Sequence, residues 1–103
     1  FQPNEYYKTR EEYLYALADA MKTEYEAIVA EGFYLQVDAP DMAMGRHIMY
    51  RNEPDDAFVK AVDLHVEVLN HALRDVPADR VLLASGPVED GQLPPDTTAW
   101  LRP

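Results

Sequence analysis

Cysteine is absent from the 103 residues, which removes disulfides and thiolate metal ligands from consideration. No apolar run approaches the roughly 20 residues that a membrane-spanning helix needs. Basic residues are scarce: nine Lys and Arg stand against nineteen Asp and Glu, for a formal charge of −10. A surface of that sign repels phosphate backbones and anionic lipid, so nucleic acid and membrane are not expected as partners. Nor does a methionine or a signal-like segment open the chain, which begins at Phe1; it reads as part of something longer, with a cytoplasmic location expected. What is present, 48% hydrophobic residues with 11% aromatics, supports one packed domain and is too little chain for two.

The stretch around which the rest is arranged is residues 33–44, Phe-Tyr-Leu-Gln-Val-Asp-Ala-Pro-Asp-Met-Ala-Met. Its first five residues are predominantly aromatic and aliphatic, the pattern of a buried strand, and Pro40 cannot donate to a ladder, so pairing should end near Asp38. Asp38 would then close the strand at its carboxyl end, where parallel α/β folds build substrate sites. A carboxylate in that position also serves as a turn former or helix cap.

Before this stretch, Thr9 and Glu12 have the spacing of a capping box, which predicts a helix from about Arg10. Leu14, Leu17, Ala18, Met21, Tyr25, Ile28 and Val29 recur at intervals that give it one apolar face, and Gly32 supplies a left-handed stop. Tyr13, Tyr15 and Tyr25 are read as packing residues. After the stretch, residues 39–53 are predicted to be irregular and long for a strand-to-helix connection. They hold Met42, Met44 and Met49, read as gap fillers or pocket lining, and Arg46 and His47, which could bind an anion or move a proton.

A second helix is signalled by Pro54 with Asp55 and Asp56 in its first turn. Its buried stripe comprises Phe58, Val62, His65 and Leu69, with Ala72 or Leu73 completing it, and His71 and Arg74 sit where cations favour a helix end. His65 is read as a packed residue; neither it nor His71 lies in an HExxH or other metal-ligand spacing. A second apolar run, 80–84, follows a turn. Strand, helix, strand in that order predicts a right-handed crossover with a parallel strand pair, and hence an α/β fold. Residues 86–103, rich in proline and glycine, are predicted to be loop or tail appended to the 1–85 unit.

Glu5-Tyr6-Tyr7, the helix end Ala30-Glu31-Gly32, the run Tyr34-Leu35-Gln36-Val37-Asp38 with Ala39-Pro40, and the segment 75–81 together resemble the catalytic domain of cobalamin-independent methionine synthases. The likeness covers about residues 5–83, and its Gln-aliphatic-Asp-x-Pro element is the most specific part. It implies a partial (β/α)8 (TIM) barrel of about two β/α repeats and descent from an enzyme that uses zinc to activate homocysteine for methyl transfer from a folate. Asp38 matches the family's acidic residue facing the amino group of the substrate amino acid. Asp38, Asp41 and His47 are accordingly the candidate substrate-binding residues, for an amino-acid-like small molecule.

The chain departs from that family where its zinc ligands should be. A His-x-Cys pair is expected after the segment 80–81, and its positions are held by Ala84 and Gly86. No metal or other cofactor is therefore assigned to this chain, and no catalytic residue. The resemblance implies a truncated or divergent methionine-synthase-like protein that is inactive as this chain; the alternative reading is a non-catalytic assembly or small-molecule-binding module that self-associates. A two-strand sheet with open edges would need cover, so a homo-oligomer is expected.

Overall fold

A computed structural model describes residues 4–81. Three helices make up the frame: α1 at Arg10–Ala30, α2 at Asp41–Ile48 and α3 at Asp55–Leu73, followed by a 3-10 turn at Ala78–Arg80.

The start of α1 is held as its sequence demands. Thr9 Oγ1 accepts from the Glu12 amide at 3.0 Å, while the Glu12 carboxylate reaches back to the amide of Lys8 at 3.1 Å, one residue before the cap itself. In front of it, Asn4 folds the chain by accepting from the amides of Tyr6 and Tyr7. At its other end Gly32, with φ +86°, takes the left-handed conformation; its amide donates to Val29 and that of Phe33 to Ile28. These are the two bonds of a Schellman stop.

Helices α1 and α3 form the core through Leu14, Ala18, Val68 and Ala72, with Tyr15, Tyr25 and Leu64 at its fringe. Alanine at two of the four positions lets the helix backbones come close. Cross-links place Arg10 opposite His65, Asp19 opposite His71 and Lys22 opposite Asp75. The two helices therefore run in the same direction, and residues 31–54 must carry the chain back along α1, a helix of roughly 30 Å.

The expected α/β architecture is not what this chain adopts. Of the described residues 65% are helical and 3% in strand conformation, with no sheet, so neither a parallel strand pair nor a TIM-barrel fragment is present among them. The two apolar runs touch at one parallel bridge, Leu35 to Val81, where the Leu35 amide donates to the Arg80 carbonyl at 3.1 Å. The reason lies in the run itself. Phe33 is drawn into the end of α1 by its amide, Phe33 and Tyr34 remain exposed, and only Leu35 is buried. The second run is described only to Val81; the expectations for residues 82–84, for Ala84 and Gly86, and for the tail 86–103 lie outside the described residues.

A second correction concerns residues 39–53, expected to be irregular. They contain α2, with Asp41 in its first turn and Arg46 and His47 in its last, charges placed to suit the helix dipole. Pro40 has φ −64° and forms the helix start, so the proline that ends the apolar run also opens the next helix. An interior glycine, Gly45, weakens this helix locally. It is buried against Phe58, whose ring also stacks obliquely with Tyr50 at 5.8 Å.

Candidate functional site

A cleft of about 240 Å³ opens between α1, α3 and the segment that joins the Leu35 bridge to α2. Its apolar wall comes from both long helices, among them Leu17, Met21 and Leu69; the lining residues with polar side chains are Tyr25, Asp38, Asp41 and His65. The apolar repeat of α1 supplies its wall at intervals of three and four residues, and Pro40 turns the chain so that Asp38 and Asp41 flank the same opening.

Of the three substrate-binding candidates, Asp38 and Asp41 both line this cleft and Asp38 is exposed at it. His47 is exposed on α2 and takes no part in the lining. Met42 is in the wall, whereas Met44 points outward, 55% exposed. Arg46 is engaged elsewhere: its guanidinium bonds Asp55 at 2.6 Å and the Tyr50 carbonyl, which ties α2 to the start of α3.

His65, read from the sequence as a packed residue, is buried. Its side chain is 5% exposed, and its Nδ1 lies 2.7 Å from Asp41 Oδ2, both atoms being shut off from solvent. On its other side Arg10 Nη2 is 3.3 Å from His65 Nε2, and the same guanidinium donates through Nη1 to the Tyr50 hydroxyl at 3.0 Å. Burial pushes the imidazole below its ordinary pKa; Asp41 opposes that shift, and the neighbouring Arg10 charge adds to it. A guanidinium has only donors, so Nε2 must accept from Arg10 and the ring proton belongs on Nδ1, which lies at ion-pair distance from Asp41 without the alignment of a hydrogen bond. The period of α3 identified His65 as inward-facing, but nothing in the spacing of Arg10, Asp41 and His65 announces that they converge.

A second polar cluster, where α1 passes the end of α3, is structural. His71 meets Asp19 at 2.7 Å and Tyr15 edge-on, while Lys22 bridges Asp75 at 2.7 Å and also meets Glu26. Asp19 is held below the usual carboxylate range chiefly by its hydrogen bond to His71, and Asp75 by its bond to Lys22.

A zinc centre of the kind that a methionine-synthase resemblance would imply does not fit these residues. The chain has no cysteine, Ala84 and Gly86 hold the expected ligand positions, and among the described residues no three His, Asp or Glu side chains group closely enough to hold a metal ion. No helix among them is long and apolar enough to cross a membrane. No family model, curated protein or solved structure matches the chain.

Proposed function

We propose that this is a methionine-synthase-like chain that binds a small amino acid in the cleft between α1 and α3 and does not itself carry out methyl transfer. The supporting observation is that Asp38, the residue matching the family's amino-group carboxylate, borders a cleft with an apolar wall and a second carboxylate, Asp41. The volume of about 240 Å³ is below the approximate 300–1,000 Å³ of pockets for drug-sized ligands, which suits an occupant the size of methionine or homocysteine. The ammonium group would pair with Asp38 at the opening, and the thioether or thiol side chain would lie along Leu17, Met21 and Leu69.

Titration calorimetry of the purified chain with L-methionine and L-homocysteine tests this. The expected result is saturable binding that Asp38→Asn weakens about tenfold or more, since a hydrogen bond to a charged group contributes about 1.5–3 kcal/mol. Absence of binding at millimolar amino acid, or equal affinity in the variant, defeats the reading. Incubation with homocysteine, a methylated folate and zinc is expected to yield no methionine; methionine formation would overturn the non-catalytic part.

Self-association belongs to the same reading, with a second copy of the chain as the partner. It draws support from the large apolar side chains left in water, Phe33 at 65%, Ile48 at 68% and Val59 at 54% exposure among them.

A further inference from the structure

Arg10, Asp41, Tyr50 and His65 come from the first turn of α1, the first turn of α2, the segment just after α2 and the middle of α3. They form one chain of contacts: Asp41 Oδ2 to His65 Nδ1 at 2.7 Å, His65 Nε2 to Arg10 Nη2 at 3.3 Å, and Arg10 Nη1 to the Tyr50 hydroxyl at 3.0 Å. Asp41 and His65 are also part of the cleft wall. An imidazole oriented by a carboxylate is a common arrangement for a general base, which needs its other nitrogen open to substrate. In this chain that nitrogen faces Arg10, so the geometry points to a different use.

We propose that His65 is a positioning residue for the cleft: with its ring proton on Nδ1 it holds Asp41 in the wall while its Nε2 holds Arg10, and acid breaks the Arg10 link and frees the start of α1 from α3. This deepens the small-molecule reading given above and rests on that cleft being the binding site. The two arms respond differently to a proton. The Nδ1 arm keeps its donor and gains a full charge opposite Asp41, so it survives. The Nε2 arm becomes a donor facing a donor, with two positive charges adjacent, so it does not.

Charged groups that act on the imidazole include Arg10 from α1, Asp41 from α2 and the amino group that begins the chain, with Asp38 across the same cleft. The folded chain favours the neutral ring because burial lowers its affinity for a proton. By linkage, the stability His65 contributes is fully present above the unfolded value of about 6.5 and is lost as pH falls from there through the lower folded value.

Histidine nitrogen and tyrosine ring signals of the 103-residue chain, followed by NMR from pH 8 to pH 5, give the test. The expected result is a His65 ring protonated at Nδ1 at pH 8, a titration midpoint below about 6.5, and Tyr50 signals that move with the same midpoint. Arg10→Met should raise that midpoint and abolish the Tyr50 response while Asp41 stays in place. His65→Asn keeps a donor near the Nδ1 position; it should hold Asp41 and remove the Tyr50 response, and should that variant fail to fold, Arg10→Met carries the same test. A proton on Nε2 at pH 8, Tyr50 signals indifferent to His65, or coupling that persists in Arg10→Met would overturn the proposal. None of these measurements needs a ligand. Failure of L-methionine to bind alongside an intact coupled titration would defeat the substrate reading and support the positioning role.

Discussion

Leu14 has no exposed surface and lies at the centre of the contact between α1 and α3, so it reports directly on how tightly that contact is packed. Leu14→Ala should destabilise the chain by about 2–5 kcal/mol, the range for a buried leucine whose surroundings collapse incompletely. Urea denaturation measures it, and a loss below about 0.5 kcal/mol would mean that the helix contact is loose. At this scale the sequence was informative wherever a residue's role depends on its own helix. Leu14 and Ala18 were assigned to an apolar face by period alone, and Ala72 was one of two candidates beside Leu73. Roles that depend on convergence were not legible. Arg10, Asp41 and His65 are separated by 31 and 24 positions along the chain, and their meeting follows from the parallel alignment of α1 and α3, which no local pattern encodes.

Two glycines in helical surroundings should respond with opposite sign to the same change. Gly32 has φ +86° at the stop of α1, where a Cβ costs about 1–2 kcal/mol whatever space surrounds it. Gly45 lies inside α2, and a Cβ there would meet Met49 and Phe58 side-chain atoms at 3.5 Å, an ordinary packing distance. Gly45→Ala should therefore stabilise by roughly 0.5–1 kcal/mol through the restricted unfolded chain and the better helix former. Thermal denaturation of the two variants checks the pair; a destabilised Gly45→Ala would show that Phe58 cannot yield. The same contrast explains which elements were readable. The limits of α1 and the start of α3 were signalled by caps, a proline and paired acids, all of which act within a few residues. Helix α2 was masked because its interior glycine argues against a helix, while what favours it, Phe58 behind Gly45 and the Asp41 to His65 contact, comes from another element. The apolar run at 33–37 has strand composition, yet a strand is a relation between segments: with Phe33 committed to the stop of α1, only Leu35 finds a partner.

For the molecule as a whole, two properties act against each other. A formal charge of −10 on 103 residues makes copies repel. Opposing it, Met44, Ile48, Met49 and Val59 leave apolar surface in water on α2, the turn after it and the first turns of α3, as do Phe33 and Tyr34 beside the Leu35 bridge. Which effect prevails depends on ionic strength, because burial of apolar surface is nearly indifferent to moderate salt while repulsion between exposed charges decays with a Debye length that falls from about 10 Å at 0.1 M to about 3 Å at 1 M. Self-association should accordingly strengthen as sodium chloride is raised across that range, the reverse of what an interface held by ion pairs would do. Sedimentation equilibrium at several protein concentrations reads this directly. The expected outcome is an average mass that climbs from monomer toward dimer with salt, and Ile48→Lys should suppress the climb by placing a charge within the most exposed part of α2. A mass that stays monomeric at every salt concentration, or that falls as salt increases, would show that these side chains do not form a self-complementary surface.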